Sequence, residues 1–282
     1  MDYFNDVSSG AFGLASAVSW GAGDFCGGLA AKQADTYQVV IGAHVISGLA
    51  FAGLALATGE PIRVSMDLAW CAAAGVLGAA GLVALYRGLA IGRMAVVAPV
   101  AGVLSAVVPV VAGIAMDGLP EALTLAGFAL ALTGVWLCAG GDGGAVRPAE
   151  LVLPVIAGLG FGGFIVLIGR GSGGAVFWPL VAARIASISV IMAIASLIGR
   201  PTWPRRAGAA IVALAGLLDG GGNALLVMAA HTGRLDVAGV LSSLYPAATV
   251  ILAWLLLKER LGPRQFAGLL VTLAAILAIG VK

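Results

Sequence analysis

Few residues in this chain could do chemistry away from water, and they stand far apart. Asp24, His44, Arg184, Asp219 and Asn223 each lie inside a long apolar stretch. A charged side chain at the centre of a membrane helix costs about 2.5–3.5 kcal/mol, so such groups face the bundle interior and either serve function or tie helices together. Asp219 and Asn223 are four residues apart and share one helix face, where they could bind a substrate ammonium or a proton. Asp24 offers the same chemistry on another stretch. His44 and Arg184 occupy equivalent places in theirs and are candidates for a polar or proton-handling role. Trp20 falls in mid-stretch, whereas membrane tryptophans usually form interfacial belts, as Trp70, Trp178 and Trp203 are placed to do. With Phe161 and Phe164 it predicts an aromatic-walled cavity, suited to apolar side chains and able to stack on cations. Ser242, Ser243 and Tyr245 precede Pro246, and a proline frees a backbone carbonyl one turn earlier. Those hydroxyls and carbonyls complete the candidate substrate-binding set, and Pro109 and Pro246 are the candidate hinges. For each residue, ordinary helix-to-helix bonding or packing is the competing reading.

The elements that must position these groups are helices. The 282 residues are 61% hydrophobic and 10% charged, against about 25% charged in soluble domains. So few charges cannot build a water-facing surface. Glycine, at 43 residues, is depleted in soluble helices but frequent in membrane ones. Stretches near the ~20 apolar residues that a span requires recur at 10–31, 37–57, 68–90, 95–115, 121–140, 151–169, 175–198, 207–230, 235–257 and 263–281. The expected fold is therefore all-α and polytopic, with ten transmembrane helices. Breaks between stretches are short, and the longest, Gly140 to Pro148, contains Gly-Gly-Asp-Gly-Gly and reads as a linker. The N-terminus is acidic where a signal peptide would be basic, so the first stretch is expected to remain as a helix.

An internal repeat organises the whole. Residues 100–105 and 237–242 both read Val-Ala-Gly-Val-Leu-Ser, each followed by three residues and a proline, Pro109 and Pro246. Ala43-His44-Val45-Ile46-Ser47 parallels Ala183-Arg184-Ile185-Ala186-Ser187, and Gly127 parallels Gly268. The expected units are 1–140, a linker over 141–150, and 151–282. Five helices per unit is an odd number, so the second unit enters the membrane from the opposite side. Such inverted repeats recur in secondary transporters.

Composition also excludes classes. A net charge of +2, with no basic patch carrying interleaved aromatics, argues against a nucleic-acid partner. Cys26, Cys71 and Cys138 are far apart and lack metal-binding spacing, so no metal is expected. The glycine runs at 158–163 and 169–174 fit GxGxxG but lack the strand and acidic residue that dinucleotide binding requires. With no Walker A motif either, no cofactor is expected.

Tyr86-Arg87-Gly88-Leu89-Ala90-Ile91-Gly92, Val96-Val97-Ala98-Pro99 and Pro109 resemble the middle of an EamA domain. The second copy, Leu241-Ser242-Ser243-Leu244-Tyr245-Pro246 with Leu257-Lys258-Glu259-Arg260-Leu261, Gln265 and Gly268, resembles it more clearly, and Trp20-Gly21 also fits. The chain is similar to the drug/metabolite transporter superfamily, and within it to bacterial amino-acid exporters of the YddG type. The first half departs from the pattern, its Gly-Glu-Arg turn reduced to Asp117-Gly118-Leu119-Pro120. The resemblance implies an alternating-access exporter of small metabolites in the bacterial inner (plasma) membrane, with a cavity between helices 1, 3, 4 and 6, 8, 9 and cytoplasmic termini. The Lys and Arg residues of the loops favour the reverse orientation by the positive-inside rule.

On substrate, phosphorylated cargo would need several cavity cations. The three lysines, Lys32, Lys258 and Lys282, lie outside the stretches, and Arg184 is the one arginine well inside. A zwitterion or weak cation with an apolar part fits better, so the expectation is amino acids, aromatic ones included, carried by a monomer in the lipid bilayer. Efflux of drugs or other metabolites is the alternative. A reading from another class is an intramembrane aspartyl protease, since Gly21-Ala22-Gly23-Asp24 matches GxGD and Asp219 could be its second carboxylate. Against it, Leu218 stands where the partner motif has tyrosine, and no Pro-Ala-Leu triplet occurs.

Overall fold

The computed structural model describes residues 2–63, 67–91, 94–138, 148–200, 208–257 and 262–280. Among them are eleven helices and no strand: α1 (Asp2–Ala31), α2 (Thr36–Ala57), α3 (Leu68–Ile91), α4 (Met94–Asp117), α5 (Ala122–Cys138), α6 (Pro148–Gly171), α7 (Phe177–Leu197), α8 (Ala209–Thr232), α9 (Leu235–Ser242), α10 (Tyr245–Leu257) and α11 (Pro263–Gly280). Helix is what apolar sequence must form in lipid, where backbone N–H and C=O groups find no water. Five helical segments are long and apolar enough to cross a membrane: α2, α3, Leu151–Gly171 of α6, α7 and α8. Val100–Met116 in α4 and Ala122–Gly134 in α5 are shorter apolar segments. The ninth expected span, 235–257, is divided between α9 and α10 around Ser243 and Leu244. The expected linker falls mostly on 139–147, outside the described residues, as do the Lys258-Glu259-Arg260-Leu261 part of the family motif and Trp203.

Helix ends are fixed by side chains that replace missing backbone partners. The Asp35 carboxylate accepts from the Tyr37 N–H at the start of α2 (2.9 Å), and Asp67 accepts from the Ala69 and Trp70 N–H groups at the start of α3 (3.0 and 3.3 Å). Gly59, at φ 63°, turns the chain after α2 through the left-handed region that glycine tolerates. The N-cap residue of α7, Val176, has no side chain that can cap. Glu60, from beyond the end of α2, does this at a distance: its carboxylate accepts from the N–H groups of Val176, Phe177 and Trp178 (each 2.9 Å), while its own carbonyl accepts from Trp178 Nε1 (2.7 Å). A carboxylate there also meets the positive end of the helix dipole. Glu60→Ala should lower stability by about 1–2 kcal/mol, the range for loss of an N-cap. Thermal unfolding in detergent checks this, with Glu60→Gln expected between the two.

Helix packing has an exchange symmetry. α1 lies along α8, and α3 along α6; α2 packs on α7; α3 packs on α7, and α2 on α8; α4 packs on α6, while α1 packs on α9 and α10; α5 lies along α11. Swapping α1–α5 for α6, α7, α8, the α9–α10 pair and α11 maps this pattern onto itself. The symmetry extends to single residues. A side chain on Gly75 of α3 would overlap the backbone of Ala183 on α7, and one on Gly216 of α8 would overlap that of Ala43 on α2. Gly81 of α3 similarly makes room for Phe161 of α6, and Gly222 of α8 for Trp20 of α1. These glycines let backbones and aromatic rings approach closely where small residues are needed.

Candidate functional site

Six helices and the start of α10 surround a cavity, with about 410 Å3 of space between its side chains, counting the part open to solvent. α1 contributes Trp20 and Asp24, α2 His44, α6 Phe161 and Phe164, α7 Arg184, α8 Asp219 and Asn223, and α10 Tyr245. All nine are residues singled out in the sequence. α3 adds Gly78 and Leu82, which carry no reactive group and gave no signal beyond glycine spacing.

One continuous hydrogen-bonded chain crosses the site. Trp20 Nε1 donates to Asn223 Oδ1 (3.1 Å), and Asn223 Nδ2 donates to Asp219 Oδ2 (3.2 Å). The same carboxylate oxygen accepts from the Arg184 guanidinium, forming an ion pair between α7 and α8. The spacing of four that placed Asp219 and Asn223 on one face therefore brings them into direct contact. Asp219 is engaged by Arg184 and Asn223, which leaves Asp24 as the cavity carboxylate free of hydrogen bonds among the described residues. With Asp24 and Asp219 ionised and Arg184 cationic, the lining carries one excess negative charge.

His44 and Arg184 stay close but do not bond each other. His44 Nδ1 lies 2.8 Å from Ser187 Oγ, whose hydroxyl donates to the Arg184 carbonyl at 3.0 Å. With that hydroxyl proton directed to the carbonyl, Nδ1 is the donor toward Ser187. Arg184 also lies over the ring of Phe51, 5.8 Å from its centroid, yet its buried Nε has no partner.

Aromatic rings form the apolar wall. Tyr245 meets Trp20 and Phe161 edge-on, with centroids 6.2 and 6.3 Å apart and planes near perpendicular at 88° and 89°. This is a favoured aromatic geometry. The Tyr245 hydroxyl is buried without a partner, as is that of Tyr86, whose ring end abuts Gly27.

Ser242 and Ser243 are buried beside the cavity rather than in its lining. Ser243 Oγ pairs with Ser105 Oγ at 3.1 Å, and Ser242 Oγ donates to the Gly13 carbonyl at 3.4 Å. Both bonds tie the α9–α10 junction to the first half. Pro246 sits at that junction, one residue into α10, whereas α4 runs unbroken through Pro109, which packs against Gly239.

Residues 149–281 match the EamA-like transporter family, a family of membrane transporters within the drug/metabolite transporter superfamily. The chain also superposes on a solved structure described as a crystal structure of protein, with a TM-score of 0.72 and 16% identity over 94% of this chain and 95% of that one. At that identity the likeness is one of fold. No curated protein matches the chain.

Proposed function

We propose that this chain, whose second half matches the EamA-like transporter family, is a ten-helix secondary transporter of amine-bearing small metabolites, amino acids foremost. The observation that carries the substrate reading is the Asp24 carboxylate, which is 8% exposed, lines the cavity and has no hydrogen-bond partner among the described residues. A buried charge left so requires a cation or a proton. Trp20, Phe161, Phe164 and Tyr245 beside it supply a wall for an apolar side chain.

Alternating access by two inverted five-helix units, 1–140 and 151–282, is supported by the exchange symmetry of the packing and by the matched glycine contacts. Pro246, where α9 gives way to α10, is the better-supported hinge of the two prolines, because α4 continues through Pro109. Export from a bacterial inner membrane is the direction and place that fit the family resemblance. The protease reading is weakened by Asp219, whose carboxylate pairs with Arg184 instead of sharing a proton with Asp24.

Labelled amino acids from tryptophan to lysine, offered to liposomes carrying the pure protein with and without a proton gradient, test the proposal. Saturable uptake competed by a subset of amino acids is the expected result. Uptake of none would keep the transporter fold and move the cargo to drugs or other metabolites.

A further inference from the structure

We infer that the cavity binds both charges of a zwitterion, with Asp24 taking the ammonium group of the cargo and Arg184 its carboxylate, so that Arg184 selects amino acids against the corresponding amines. This deepens the amino-acid reading above and rests on it.

The inference starts from an incomplete guanidinium. Arginine has five N–H donors in a planar fork and readily binds a carboxylate through two of them. Here one terminal nitrogen bonds Asp219, while Nε, on the same fork, is buried with no acceptor. Leaving a buried donor unpaired is costly, and this one belongs to a side chain that lines the cavity and is 7% exposed. The neighbouring groups do not complete it: His44 bonds Ser187, Asn223 bonds Asp219 and Trp20, and the ring of Phe51 lies over the guanidinium without offering an oxygen. An acceptor brought by the cargo would, once the guanidinium turns this nitrogen, which has no exposed surface here, toward the cavity that the side chain lines.

Placement also favours a two-ended ligand. Asp24 is on α1 and Arg184 on α7, and α7 is not among the helices that α1 packs against. The two charges therefore approach the cavity from separate elements. A simple amine would satisfy Asp24 and leave Arg184 Nε as it is, whereas an α-amino acid would satisfy both. Its side chain would then lie on Trp20, Phe161 and Tyr245.

Competition against labelled tryptophan uptake in proteoliposomes is the test, using unlabelled tryptophan and tryptamine, which is the same molecule without its carboxylate. For the unmodified protein, tryptamine should compete at least tenfold more weakly than tryptophan, the loss expected for one charge-assisted hydrogen bond. Arg184→Lys keeps a cation for Asp219 but lacks the fork; it should weaken tryptophan about tenfold while leaving tryptamine unchanged. The charge-balanced pair Arg184→Gln with Asp219→Asn should bring the two competitors level, and it keeps the test open should the single variant fold poorly. Equal competition by tryptamine in the unmodified protein, or an undiminished preference in the paired variant, overturns the inference. Absence of saturable tryptophan uptake, with another solute transported, instead overturns the amino-acid reading on which it rests.

Discussion

Asp24→Asn should weaken saturable uptake by about 10- to 100-fold in apparent affinity, the equivalent of losing a charge-assisted hydrogen bond, with little loss of folded protein. The side chains are nearly equal in volume, and Asp24 has no hydrogen bond among the described residues to lose. Removing its charge also removes a buried carboxylate that has no partner, so the variant should be as stable as the original or slightly more so. This combination, activity lost while stability holds, separates a cargo ligand from a structural residue. Uptake kinetics and thermal unfolding in detergent, read on the same preparation, check it. Unchanged uptake would show that cargo does not meet α1 at this level.

Asp219→Ala should behave in the opposite way. It leaves the Arg184 guanidinium, 7% exposed in its side chain, without its counter-ion, and it removes the acceptor of the Asn223 amide. Breaking a buried pair from one side costs about 3–5 kcal/mol because the remaining charge is uncompensated. Replacing both partners by apolar residues of similar size, Arg184→Met with Asp219→Leu, should return most of that stability, since burying neither charge avoids the desolvation cost. A non-additive pair of unfolding midpoints is the expected result. Additive losses would mean that the two side chains contribute separately.

The residues that came together in the cavity were legible because lipid makes them conspicuous. A carboxylate, an imidazole or a guanidinium in mid-span has few tolerable places, all facing inward. Trp20 stood out because its position did not suit an interfacial belt, and Phe161 because it lies near the equivalent place in the second copy. Partner choice was not legible. His44 and Arg184 hold equivalent places in the two copies, yet Arg184 turns to Asp219 and His44 to Ser187. That depends on how α2, α7 and α8 cross, which side-chain spacing along one helix cannot specify. Ser243 illustrates a related limit: its position beside Pro246 suggested a cargo contact, but in the fold its hydroxyl pairs with Ser105. The same six residues before a proline give an unbroken α4 in the first copy and the α9–α10 division in the second; the division falls on Ser243 and Leu244, where the first copy has Ala106 and Val107, so the shared hexapeptide does not decide whether the helix divides. Gly78 and Leu82 were invisible as site residues because they have space and shape to offer and no chemistry.

The packing pattern also bears on the order in which the chain can mature. The closest helix partnerships, α1 with α8, α3 with α6, α4 with α6 and α5 with α11, all join the first half to the second, while contacts within the first half are sparse. A repeat is therefore a unit of sequence without being a unit of assembly. As synthesis proceeds, α1 leaves the ribosome long before α8, and α5 waits for α11, the last helix described. Until then the first five helices hold their small-residue faces against lipid or one another. The bundle closes late and largely at once, so truncation near the C-terminus should be felt as far back as α1.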